Sequence, residues 1–140
     1  MTRGLVAAAL LATTLARPAG ADMTPEPVAL LEGLDKITAR VSKFEAPVGA
    51  PVQFGTLAIR VRDCEKSPPE DMPESAAFVE IDETRPGETR KRVFSGWMFA
   101  SSPALSALEH PVYDVVLLDC KEASGSPRTA SGSATGKDAR

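Results

Sequence analysis

The chain is poor in the residues from which most active sites are built. Its 140 residues hold one histidine, two cysteines, one tryptophan and one tyrosine, and only 5% are aromatic. A metal centre needs several His, Cys, Asp or Glu ligands converging, so a lone His110 points away from one, and no metal or cofactor is expected. The acidic run Glu80-Ile81-Asp82-Glu83 lacks the Asp-x-Asp-x-Asp-Gly pattern of a calcium loop and reads as a solvated turn. A nucleophile elbow is also missing, since Ser124-Gly125-Ser126 lies in a Gly- and Ser-rich stretch. Ser101 or Ser102 with His110 and Asp114 would supply the residue types of a triad, but helix capping accounts for Ser102. Basic residues are in deficit, 16 against 19 acidic, which argues against a nucleic-acid partner. After the first twenty-one residues no run is apolar enough for a membrane helix of roughly 20 residues, so the chain is not expected to span a bilayer.

Residues 1–21, MTRGLVAAALLATTLARPAGA, have the parts of a secretory signal peptide. Arg3 supplies the basic start, Leu5 to Leu15 the apolar stretch, and Ala19-Gly20-Ala21 the cleavage site. Export to the periplasm with cleavage after Ala21 is expected, taking the net charge from −3 to −5 as Arg3 and Arg17 leave.

Residues 22–36 read as a linker and lead-in, in which Val28, Leu30, Leu31 and Leu34 fit at most one amphipathic turn. Strand patterns begin at Ile37 and continue to Cys120. Thr56–Cys64 alternates Leu57, Ile59 and Val61 with Ala58, Arg60 and Arg62, giving one buried and one polar face. Ala76–Asp82 and Arg90–Phe99 form a hairpin around Pro86-Gly87, which meets the demands of a type II turn. Ser102-Pro103 then signals a short helix, ended by His110-Pro111. Val112–Cys120 is apolar on both parities, as in a central strand. Residues 121–140 are rich in Gly, Ser, Ala and Thr and read as a disordered tail. These elements predict an all-β domain, a small β-sandwich or partly closed barrel, with one short helix.

In an oxidising compartment the even pair Cys64 and Cys120 predicts one disulfide. Without Cys-x-x-Cys spacing the pair reads as structural rather than redox-active. Its two strand ends must then be spatial neighbours.

The remaining candidates are surface features. Trp97, Met98 and Phe99 are either core or an exposed patch that docks a partner. His110 and Tyr113 follow close by. Arg60 and Arg62, with Arg90-Lys91-Arg92, form either an anion-binding stripe or cross-strand salt bridges to Glu80 and Asp82.

The segment FSGWMFASSPALSALEHPVYDVVLLDC, residues 94–120, resembles the signature of the DUF2155 family, small exported proteins found mainly in alphaproteobacteria. The similarity extends through residues 47–82. Where many members carry an aromatic in the last strand, this chain has Val115-Val116. The resemblance implies a periplasmic setting and a matched cysteine pair, and brings no catalytic residues. The expected function is therefore that of a non-enzymatic binding or accessory domain of the cell envelope. Its partner would be an envelope protein or a cell-wall component. Two alternatives stand beside it: a carboxylate-dependent hydrolase of cell-wall or glycan substrates, and a purely structural envelope protein.

Overall fold

A computed structural model describes residues 22–125. The signal-peptide segment and most of the C-terminal tail lie outside these residues. The strands are β1 (Thr24–Pro25), β2 (Val28–Asp35), β3 (Arg40–Pro47), β4 (Val52–Phe54), β5 (Leu57–Lys66), β6 (Ser75–Glu83), β7 (Lys91–Phe99), β8 (Leu108–Glu109) and β9 (Tyr113–Lys121). They form two antiparallel sheets. Sheet A runs β1-β5-β6-β7, with β4 also paired to β5, and sheet B runs β3-β2-β9-β8. The inner faces meet in one core that includes Leu31, Leu57, Ile59, Val61, Val79, Ile81, Met98, Val115 and Leu117. This is the all-β sandwich that the strand pattern predicts.

The hairpin β6–β7 folds as its sequence dictates. Glu88 N–H donates to the Arg85 carbonyl at 3.0 Å and Gly87 has φ +78°, as a type II turn with Pro86-Gly87 at its centre requires.

Four expectations need correction. Residues 28–35 are no loose lead-in: β2 is a central strand of sheet B, paired with β3 along one edge and β9 along the other. Ile37 does not begin a strand; it sits in a turn where Asp35 Oδ1 accepts from the Ile37 and Thr38 N–H groups at 2.9 and 3.1 Å. The short helix is absent as well, and residues 100–107 form turns before β8. Seven residues between Pro103 and Glu109 are too few to repay helix nucleation unaided. Their polar groups bond to β7 instead: Ser106 Oγ donates to the Trp97 carbonyl, and Ser102 N–H to the Phe99 carbonyl at 3.3 Å. This loop thereby caps the outer edge of β7. Lys121, assigned to the tail by composition, completes β9 and bonds Glu45, as does Ser124.

The disulfide joins the sheets. Cys64 on β5 and Cys120 on β9 are bonded, both fully buried, with Cα atoms 5.7 Å apart. A β-bulge precedes each cysteine. Val61 pairs with Val79 and Asp63 with Phe78, leaving Arg62 as the extra residue. Leu31 pairs with Leu117 and Leu30 with Asp119, leaving Leu118 as the extra residue. Each insertion reverses the inward parity of its strand. Strict alternation from Val61 and Leu117 would turn Cys64 and Cys120 outward.

Candidate binding face

On sheet A, the residues that do not enter the core gather on the outer face. Inward Leu57, Ile59 and Val61 leave Ala58, Arg60 and Arg62 outward on β5, and past the bulge Asp63 and Glu65 join the same face. Inward Ala77, Val79 and Ile81 leave Phe78 and Glu80 outward on β6. On β7, Met98 is buried while Trp97 and Phe99 are 39% and 38% exposed. Phe78 meets Trp97 edge to face, with centroids 5.6 Å apart, a geometry that aromatic quadrupoles favour. The register pairs the same two residues directly across the strands.

Beside these aromatics lies a ladder of charge. Arg62 Nε is 2.6 Å from Glu80 Oε2, and Arg92 Nη1 is 3.1 Å from Glu80 Oε1. Arg92 also bonds Asp82, and Arg90 Nε reaches the same carboxylate at 2.9 Å. The bulge that leaves Val93 unpaired, between Ile81–Phe94 and Asp82–Arg92, brings Arg92 opposite Asp82. The Arg62 hydrogen bond holds the Glu80 carboxyl below its ordinary pKa against partial burial. The Arg92 bond does the same for Asp82, with Arg90 adding to it. Both groups stay charged.

The other sequence candidates fall elsewhere. Arg60 faces outward but bonds the Gly49 carbonyl at 3.4 Å rather than Glu80. His110 and Tyr113 lie at the opposite end of the sandwich from the disulfide. The His110 ring stacks on Tyr113 with centroids 5.8 Å apart. Its Nδ1 accepts from Val112 N–H at 3.2 Å, and its Nε2 lies 3.1 Å from Glu83 Oε1. Those two contacts give both ring nitrogens of the buried imidazole a partner, and a carboxylate anchors it rather than the carbonyl a helix end would offer. Met98 and His110 are interior residues, so Trp97, Phe99 and the arginines form the accessible part of the candidate set.

Sequence reading overlooked two groups. Phe78 was legible from its outward parity but was not connected to Trp97, because strand pairing sets that contact. A polar knot ties three strands beside the disulfide: Asp119 accepts from Lys66 Nζ at 2.8 Å and Ser75 Oγ at 3.0 Å, and Ser75 Oγ accepts from Cys120 N–H at 3.1 Å. Nearby, Glu74 accepts from Ser101 N–H at 3.1 Å and from the Ser101 hydroxyl. Residues 27 to 53 positions apart meet there, and no local signal announces it.

A cleft of about 340 Å³ opens over this knot, lined by Glu74, Ser75, Ser101 and Asp119 among others. Burial raises the Glu74 carboxyl, but bonds from Ser101 and the neighbouring backbone outweigh it. Burial likewise raises Asp119, and bonds from Lys66 and Ser75 bring it below its ordinary value. Glu83 follows the same pattern, with Arg85 and His110 outweighing its burial. A general acid at neutral pH needs the reverse shift.

Comparison with known proteins agrees with the signature segment. The profile of the family described as "Uncharacterized protein conserved in bacteria (DUF2155)" matches residues 29–120. The "Uncharacterized protein RP359" of Rickettsia prowazekii (strain Madrid E) is 32% identical over 87 residues, which cover 62% of this chain and 56% of that protein. The matched region thus spans about half of that relative's length. No solved structure matches. With its profile running from β2 through Cys120 of the disulfide, the chain belongs to the DUF2155 family.

Proposed function

We propose that the chain is exported to the periplasm and acts there as a non-enzymatic binding domain of the cell envelope, with the outer face of sheet A as its contact surface. The observation that carries this reading is the half-exposed pair Trp97 and Phe99, braced by Phe78, beside an ordered ladder of arginines and carboxylates. Aromatic residues and arginine are the side chains most enriched where protein surfaces bind. The downward pKa shifts of Glu74, Glu80, Asp82, Glu83 and Asp119 favour binding over carboxylate-dependent hydrolysis.

Crosslinking and pull-down from periplasm test the reading, with Trp97→Ala as control and circular dichroism to confirm that the variant folds. A reproducible envelope partner is expected with the native chain and not with the variant. Recovery of no reproducible partner overturns it. N-terminal sequencing of the exported protein tests the setting and is expected to begin at Asp22.

A further inference from the structure

The ladder on sheet A is uneven. Its members alternate as Arg62, Glu80, Arg92, Asp82 and Arg90, so it begins and ends on arginine. Arg60 stands beside it with no carboxylate partner among the described residues. Four guanidiniums therefore face the two carboxylates of the ladder, on a chain whose formal charge is −3, while the outward Asp63 and Glu65 of β5 stand at the aromatic end, opposite Phe78 and Ala76. Arg62 gives only its Nε to Glu80 at 2.6 Å, and no described residue bonds its two terminal nitrogens. That pair can still grip a carboxylate bidentately. Its orientation is already fixed by Glu80, which lowers the ordering cost of binding.

We propose that this face docks an acidic, extended polypeptide segment bearing an apolar residue beside its carboxylates. The inference rests on the binding-domain reading above and names the chemistry of the partner. Alternate residues along β6, from Phe78 through Glu80, stand about 7 Å apart, as alternate side chains of any extended segment do. Carboxylates on such a segment fall over Arg60 and Arg62, and an apolar side chain falls on Trp97 and Phe99. The rim beyond Phe99 sets the direction. There the β5–β6 loop carries Glu70, Asp71 and Glu74, and Glu74 is bonded to Ser101 just past the end of β7. Those acids repel the charged part of the segment toward the arginines. They also oppose an anionic membrane surface, which would have to cover rim and ladder together.

Trp97 is the single tryptophan of the chain, so its emission reports this face alone. The probe is the synthetic peptide Glu-Thr-Glu-Thr-Leu, and the control replaces each Glu by Lys. A saturable change in Trp97 emission is expected with the acidic peptide and not with the control. Affinity should fall at least about tenfold in Arg60→Gln/Arg62→Gln, and fall again as salt is raised toward about 0.5 M. Arg60→Gln alone, which breaks no ion pair, should show part of the loss and guards against misfolding of the double variant. The proposal is overturned by no emission change, by an equal response to the lysine peptide, or by a response confined to phosphatidylglycerol-rich vesicles or purified peptidoglycan. If pull-down through Trp97 succeeds while the acidic peptide fails, the binding reading stands and the acidic segment is excluded. Failure of both removes both.

Discussion

Gly33 marks a close approach of the backbone to an aromatic ring. A methyl group on Gly33 would lie 2.5 Å from Cζ of Phe54. That ring has little room to yield, because it stacks on Phe44 at 5.3 Å and meets the Tyr113 edge at 5.4 Å. Gly87, by contrast, has φ +78° with nothing near its missing side chain. Gly33→Ala should therefore cost about 1–3 kcal/mol through overpacking, and Gly87→Ala about 1 kcal/mol through backbone strain alone. Urea unfolding of the two variants checks both size and order. The ladder makes a second residue-level prediction. Asp82 and Glu80 have folded pKa values depressed by their arginines. Their contribution is complete above the ordinary carboxylate range and is lost as pH falls below about 4 and through the depressed values. Thermal midpoints followed downward in pH should drop more steeply in the native chain than in Arg92→Gln, which has less to lose.

At the scale of elements, the bulges decide where the cysteines point. Inserting one alanine between Asp119 and Cys120 shifts the cysteine by one position on β9 and should turn it outward, so the disulfide fails. Two thiols per chain should then react with a thiol reagent in denaturant, where the native chain reacts at none. Neither bulge is legible in the sequence. TLAIRVRDC alternates cleanly through Arg62, and only the inward demand of Cys64 reveals the extra residue. Strands β5, β6 and β7 are legible, because each packs one face against the core and leaves the other at the surface, and period two survives over most of their length. β2 is hidden for the opposite reason: Val28 and Ala29 are both buried, a bulge interrupts its pairing, and Gly33 exists to admit the Phe54 ring. The 103–109 segment shows a further limit. Ser102-Pro103 is a sound capping signal, but a cap cannot make a helix where the hydroxyls and amides that follow are claimed by a neighbouring strand edge. The candidate face was legible one residue at a time, in Trp97, Phe99, Arg60 and Arg62. The Phe78–Trp97 contact and the order of the ladder required the strand register.

For the whole molecule, the disulfide is the covalent link between the two sheets, while the polar knot of Lys66, Ser75 and Asp119 fastens the same end by hydrogen bonds. Closing a loop with sequence separation 56 stabilises by about 4 kcal/mol in the chain-entropy account, a large share of a small domain's net stability. Cys64→Ala/Cys120→Ala should lower the unfolding free energy by about that amount, read from urea titrations. Ser75→Ala in the native background should cost less, about 1–2 kcal/mol, by removing bonds to Asp119 and Cys120 N–H. The loop that caps β7 has a different kind of consequence. An open strand edge is an invitation to zip onto the next copy and the next, until a solution becomes a fibre. Here the Trp97 and Phe99 carbonyls already have partners, the bulge at Val93 breaks the line, and Lys91 and Arg92 put like charges where two copies would meet. At this edge crowded copies gain neighbours without gaining strands, and whatever joins it must arrive broadside.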